Sequence, residues 1–305
     1  MITIKTIEEA AFQAIRNGST NISPDVRDAF EKAILNESND GARDGLEKTL
    51  ESIKLAEIYD KPSCADTGWP IFYVKAGNEA DIEGGFMALE NAVRNAVRRA
   101  TKEGYIRATM KDPLTGYDPG DNIGPNIPDF TYKFVPGDNL EITYCAKGGG
   151  SECFGGTRQK VVAFADGTKG IEKFVIDAFA DAARAGAICP PSVIGVGIGG
   201  TANVAANLAK EAACLRRVGS HHPEEKISDI EKRLYKGING LGFGILGAGG
   251  NTSALAVNVE YAYTHIAGIV VAISCNCMVA RRSTFRINVD NSFEKTDGAY
   301  WFGDR

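Results

Sequence analysis

The segment Cys189-Pro190-Pro191-Ser192-Val193-Ile194-Gly195-Val196-Gly197-Ile198-Gly199-Gly200-Thr201 constrains the fold more than any other. Two prolines lead into a β-branched apolar run, and four glycines fall within residues 195–200. A short apolar run bounded by Pro and Gly reads as a buried strand. Ala202 onward (Ala-Asn-Val-Ala-Ala-Asn-Leu-Ala-Lys) reads as a helix. The glycines therefore mark a strand-to-helix turn, where backbone N–H groups can face a bound anion. Gly195, Gly197 and Gly200 also fit G-x-G-x-x-G, the dinucleotide fingerprint, but weakly. The first glycine lies inside the apolar run, and no ribose-binding acid follows about 20 residues on.

The 305 residues are 44% hydrophobic and 24% charged, enough for one large domain or two. A net charge of −5 offers no broad basic surface to nucleic acid. No apolar run approaches the roughly 18 residues of a membrane span. Met1-Ile2-Thr3-Ile4-Lys5 lacks the layout of a signal peptide. A cytoplasmic chain is expected, without membrane attachment. Seven cysteines, an odd number without a C-x-x-C pair, argue for free thiols in a reducing compartment rather than a disulfide framework or structural zinc.

Residues 1–60 read as a helical arm, with helices over 4–16, 24–35 and from Asn39 or Asp40 to about Tyr59. Strand-like residues 71–76 follow. Phe86, Leu89, Val93, Val97 and Ala100 then form one stripe of a helix over 83–103, which ends at Gly104. The proline-rich stretch 108–128 is loop. Strands are expected at 129–136 and 139–146, and helices at 169–187 and 224–239. Further strands are expected at 254–259, 269–273 and 285–289. The fold class expected is α+β: one large mixed domain over 1–305, with two lobes permitted by its length and glycine-rich strand-to-helix turns around the site.

Several short motifs punctuate this plan. They are Cys64-Ala65-Asp66-Thr67-Gly68, Gly104-Tyr105-Ile106-Arg107, Lys147-Gly148-Gly149-Gly150-Ser151, Cys189-Pro190-Pro191 through Gly200, Gly219-Ser220-His221-His222-Pro223, Thr264-His265-Ile266-Ala267-Gly268, and Cys277 with Arg281. Taken alone, Asp66 reads as a turn-former, Arg107 as a surface charge and His221-His222 as the start of a helix. As an ordered set over most of residues 60–290, the motifs resemble the α subunit of the two-subunit class I fumarate hydratase and L(+)-tartrate dehydratase family of iron–sulfur hydro-lyases.

The resemblance implies a [4Fe–4S] cluster held by Cys64, Cys189 and Cys277, with one iron left open as a Lewis acid. Cys277 is preferred to Cys275 because the family's third cysteine precedes its arginine by four residues; Cys145, Cys153, Cys214 and Cys275 are left as buried thiols. Asp66 and His265 match catalytic positions, either of which can protonate the leaving hydroxyl. Arg107 and Arg281 match substrate-binding arginines, and Gly148 and Gly149 a backbone contact to substrate. The substrate implied is a small 2-hydroxy dicarboxylate: malate/fumarate, tartrate/oxaloacetate or a substituted malate. Ala65 departs from the family's usual glutamine, which removes a hydrogen-bonding group and leaves room. No base for the C3 proton is evident in this chain; the resemblance implies that it comes from a separate β subunit, which is expected to complete the site in an α2β2 assembly. The competing reading is an iron–sulfur sensor or assembly protein, in which Asp66, Arg107, the glycine loop and His265 have no task.

Overall fold

The computed structural model describes residues 1–296 together with Trp301 and Phe302. Helices and mixed sheets alternate along the chain, an α+β fold as expected. In chain order the elements begin with α1 (Ile4–Thr20), α2 (Pro24–Asn36), α3 (Asp40–Ile58), β1 (Trp69–Gly77), α4 (Gly85–Glu103), β2 (Asp129–Val135) and β3 (Leu140–Lys147). They continue with α5 (Gly149–Cys153), β4 (Thr157–Val162), α6 (Gly167–Arg184), β5 (Ser192–Ile198), α7 (Ala202–Leu215) and α8 (Glu225–Asn239). The last strands are β6 (Ala254–Tyr261), β7 (Ile269–Asn276), β8 (Arg281–Ile287) and β9 (Phe293–Thr296). The chain divides into two compact units. One comprises Met1–Ser23, Ser52–Lys147 and Arg281–Trp301; the other comprises Pro24–Glu51 and Gly148–Ala280, with Phe302.

The first unit is built on a five-stranded sheet of order β2-β1-β3-β8-β9, in which only β1 and β2 run parallel. The two strands joined by Pro136-Gly137-Asp138 therefore do not form a hairpin: β1 lies between them. Gly77 makes this crossing possible, since a Cβ there would stand 2.3 Å from Gly137 O. Side chains alternate between the two faces along β3. Ile142 and Tyr144 enter the core, while Glu141 meets Lys75 and Arg286 and Thr143 shares a 2.7 Å hydrogen bond with Thr284. Helices α1 and α4 supply the rest of that core. Ala10, Ala11 and Ala14 of α1 and Ala92, Ala96 and Ala100 of α4 are all fully buried, small enough for close helix approach. Thr3 caps α1 by accepting the Thr6 N–H. Phe86, placed on the buried stripe by its spacing, is instead exposed and stacks edge-on against Tyr132 and Phe134.

The second unit is a four-stranded sheet of order β4-β7-β5-β6, with β5 and β6 parallel. Helices α6 and α8 share one apolar core with Val271, Ile273 and Cys275 of β7. Helix α7 packs through Ala205 and Ala209 against Ala272, which alternation puts on the opposite face of β7. The sheet is thus covered on both faces, so its inner strand β5 carries no polar side chain from Val193 to Ile198.

Candidate active site

In the first unit, Cys64 is half-buried in the loop between α3 and β1. That loop is tied down at Ser63, whose N–H donates to Ser19 O at 2.9 Å. Asp66 is exposed, and its Oδ1 accepts the Gly68 N–H at 3.1 Å. This is the turn-forming role that its residue type suggests. Arg107 follows the αL cap at Gly104 and its guanidinium is exposed; Nη1 donates to Ala65 O at 3.0 Å, which joins the arginine to the Cys64–Gly68 loop. The strand expected at 285–289 starts earlier, at Arg281, which opens β8 opposite Ala146. It is 1% exposed, and its Nε and Nη1 have no hydrogen-bond partner among the described residues. Buried guanidinium N–H groups of this kind are suited to an anionic partner.

In the second unit, Cys189 is exposed at the entry to β5 and Cys277 is buried just beyond the end of β7. The two loops are stitched together by the Met278 N–H, which donates to Cys189 O at 3.2 Å. Cys275 lies within β7, 1% exposed among apolar side chains, the environment of an inert core thiol. Cys145 and Cys214 are likewise buried, but Cys153 is exposed on α5, because that helix is a single short turn and its last residue faces solvent. Gly148 caps α5 and Gly149 begins it, so the triple glycine is an ordered helix start rather than a floppy turn. Gly150 cannot be larger, since a Cβ would stand 2.1 Å from Ala187 O. His265 sits exposed in the loop joining β6 and β7, between Tyr263 and Ile266, both largely exposed. Its Nδ1 accepts the Ala267 N–H at 3.1 Å, which leaves the proton on Nε2 and makes that nitrogen a donor.

The glycine-rich turn after β5 has a different task from the anion cradle its sequence suggests. A Cβ at Gly195 would lie 1.9 Å from Ala209 O, and one at Gly197 2.0 Å from Ala205 O. These glycines let α7 lie directly on the strand. At the turn itself, the Gly199 N–H donates to Val270 O and the Gly200 N–H to Tyr263 O, so neither amide is left for a phosphate. The dinucleotide reading fails here on backbone geometry. In the Gly219–Pro223 motif, His222 Nδ1 accepts the Glu224 N–H at the start of α8, the helix-start role. Glu231 of α8 accepts the His222 and Val259 N–H groups, and Arg216 lies 2.9 Å from Glu260 and 3.3 Å from Glu231, all buried.

Sequence reading passed over the residues that hold Arg107. Thr67 Oγ1 accepts the Arg107 N–H at 2.9 Å, and Asn122 Nδ2 donates to Arg107 O at 2.9 Å. Tyr105 donates its hydroxyl to Asp60, which also receives a two-pronged contact from Arg16. The Arg16 guanidinium holds the Asp60 carboxyl below the usual carboxylate range, and Asp60 in turn pushes the Tyr105 phenol up. Asn122 was visible only as one polar residue in a proline-rich loop.

Among the described residues, no three His, Cys, Asp or Glu side chains stand close enough to hold a single metal ion. Thiolates that bind different irons of one cluster stand farther apart than the ligands of one ion, so the spacing suited to a single ion does not bear on a cluster. No helix among the described residues is long and apolar enough to cross a membrane.

A family model described as fumarate hydratase (Fumerase) matches residues 8–286. A Methanocaldococcus jannaschii protein, provisionally named L(+)-tartrate dehydratase subunit alpha, is 36% identical over 289 residues, covering 93% of this chain and 98% of its own length. The L(+)-tartrate dehydratase subunit alpha of Escherichia coli strain UTI89 is 34% identical over 277 residues, 90% of this chain and 89% of its own length. Its counterpart in strain K12 is 32% identical over the same span. With its motifs in order, a family match along most of its length and relatives above 30% identity, this chain belongs to the fumarate hydratase (Fumerase) family of hydro-lyases.

Proposed function

We propose that this chain is the cluster-bearing subunit of a hydro-lyase that reversibly dehydrates a small 2-hydroxy dicarboxylic acid. In this reading Cys64, Cys189 and Cys277 hold a [4Fe–4S] cluster. The observation that carries it is the pairing of the Cys189 and Cys277 loops through the Met278 N–H, while Cys275, two residues earlier, is committed to the core. The donor set fits such a group: three cysteine thiols outside any disulfide, on irregular segments at or beyond the end of a regular element. The orphaned N–H groups of buried Arg281 suit the anionic surroundings that a cluster and a dicarboxylate create. When bound, the cluster supplies a Lewis acid at the iron that carries no protein thiolate, easing departure of the substrate hydroxyl.

The remaining chemistry belongs to the side chains. Arg107 binds one substrate carboxylate through the N–H groups not given to Ala65 O, and Arg281 binds the other negative end. The Gly148–Gly149 backbone contacts the substrate. His265, with Nε2–H outward, donates toward the leaving hydroxyl. Asp66 is the second candidate for that step, but this chain leaves it exposed, without the dry surroundings that suit a carboxylic acid donor. Ala65 leaves space where a hydrogen-bonding side chain would stand, which suits a substituted malate or tartrate. The C3 base comes from a β subunit. The near-full-length match to proteins named as alpha subunits supports that partnership, in an α2β2 assembly. Seven cysteines outside any disulfide suit the reducing cytoplasm.

The test is anaerobic reconstitution of the full chain with iron and sulfide. About four irons per chain are expected, lost in Cys64→Ser, Cys189→Ser and Cys277→Ser but retained in Cys275→Ser. Titration of malate, tartrate and citramalate should then perturb the cluster spectrum with the true substrate. A chain that binds no cluster, or whose cluster ignores every hydroxy acid, refutes the hydro-lyase reading and favours a sensor or assembly role. Full turnover by the isolated chain would remove the need for a partner.

A further inference from the structure

Asn122 lies in the proline-rich loop between α4 and β2, 1% exposed, with φ at +61°. Asparagine is among the few side chains that accept this left-handed backbone. Its amide is saturated. Nδ2 donates to Thr101 Oγ1 at 3.0 Å and to Arg107 O at 2.9 Å; Oδ1 accepts the Thr109 N–H at 2.9 Å and the Met110 N–H at 3.2 Å. Two donors and two acceptor positions are all that an asparagine side chain possesses. Three of these bonds go to the backbone of residues 107–110. On the other side of Arg107, the hydroxyl of Thr67, itself 1% exposed, accepts its N–H. Arg107 is thereby held at its N–H and its C=O by two buried side chains, while the residue stays exposed and, among the described residues, its guanidinium is committed only through Nη1, to Ala65 O.

We propose that Asn122 is a positioning residue, which with Thr67 fixes the backbone of Arg107 so that its guanidinium is aimed before a carboxylate arrives. The reasoning is energetic. An arginine on an irregular loop loses conformational freedom when it binds; a loop already fixed by five hydrogen bonds at residues 107–110 has lost most of it beforehand. A saturated buried amide is rigid because releasing any one bond leaves an unpaired buried group. This inference rests on Arg107 being the substrate-carboxylate arginine.

The experiment measures dissociation constants of the full chain for L-malate, L(+)-tartrate and the monocarboxylate L-lactate by calorimetry. Asn122→Gly keeps the backbone conformation and removes the amide; it should weaken the better-bound dicarboxylate about ten-fold and leave lactate unchanged. Arg107→Ala should weaken it about a hundred-fold, and adding Asn122→Gly to Arg107→Ala should cost nothing more. Thr67→Val, which loses the acceptor, should mimic Asn122→Gly, and Thr67→Ser should restore affinity; this pair decides the matter if Asn122→Gly does not fold. Equal weakening of dicarboxylate and lactate, or additive losses in the double variant, overturns the positioning role and leaves Asn122 a purely structural residue. Unchanged dicarboxylate affinity in Arg107→Ala, or no dicarboxylate binding by the wild-type chain, overturns the reading of Arg107 itself, and the role of Asn122 falls with it.

Discussion

Replacing Gly197 with alanine tests why β5 is rich in glycine. The new methyl would stand 2.0 Å from Ala205 O and 2.9 Å from Ala209 N, where ordinary contact begins at 3.4 Å. Helix α7 would have to withdraw by about 1.4 Å from the strand, and the obstacles are backbone atoms that cannot rotate aside. Overpacking a core costs about 1–3 kcal/mol, and this site belongs at the upper end. At about 2–4 °C per kcal/mol, a cost of about 3 kcal/mol should lower the melting temperature by about 6–12 °C. Scanning calorimetry of the full chain measures it. Gly41→Ala is the control: Gly41 is exposed in the first turn of α3, and the nearest atom to its added Cβ is 3.4 Å away. There the same methyl should stabilise by about 0.5 kcal/mol through helix propensity. An unshifted melt for Gly197→Ala, accompanied by altered anion or nucleotide binding, would refute the packing account and restore a ligand-binding role to the turn.

Two further outcomes follow from buried and half-buried charge. Arg216→Met should destabilise the chain by about 3–5 kcal/mol, because it leaves the buried carboxylates of Glu231 and Glu260 facing each other without their shared cation; a urea unfolding midpoint close to that of the wild type would contradict this. Asp60→Asn should remove a pH-dependent contribution to stability. The folded Asp60 carboxyl is depressed by Arg16, so its contribution is present above the ordinary value of 3.8 and is lost as pH falls through the lower folded value. The pair is about two-fifths exposed, so the effect should be small and screened by salt. Unfolding curves of wild type and variant between about pH 2 and 6 should converge on acidification, and a constant gap would contradict the assignment.

Local periodicity and turn chemistry were legible in the sequence. The helix starts and stops, the strand alternation of Ile142 and Tyr144, and the cap at Gly104 all depend on residues a few positions apart. Pairing between distant strands was not. Nothing near Pro136-Gly137-Asp138 says that β1 inserts between β2 and β3; that follows from the register of a strand some 60 residues earlier. Strand β4 was missed because Gln159 and Lys160 interrupt its apolar pattern at the exposed edge of its sheet. Gly195 and Gly197 were ambiguous for a related reason. A glycine that admits a helix backbone and a glycine that admits a phosphate look alike in one dimension, and only the neighbour that a Cβ would strike tells them apart.

The two cysteines at 275 and 277 show where the same limit meets the chemistry. A strand ending near Ile273, as the apolar run suggests, leaves both in one turn, and only family resemblance then chooses between them. In the structure β7 runs on to Asn276, paired with β5 as far as Val193. Val271, Ile273 and Cys275 share its core-facing side at the two-residue period of a strand. Cys277 has the same parity and would join that apolar cluster if the strand continued one residue further. It does not: the Cys277 N–H turns to Asn276 Oδ1 at 2.9 Å, and the next amide, that of Met278, reaches Cys189 O. The end of the ladder, fixed by Asn276, therefore separates a thiol committed to packing from one released into the loop beside Cys189. This is a physical reason, independent of resemblance, for expecting Cys277→Ser and not Cys275→Ser to abolish cluster binding.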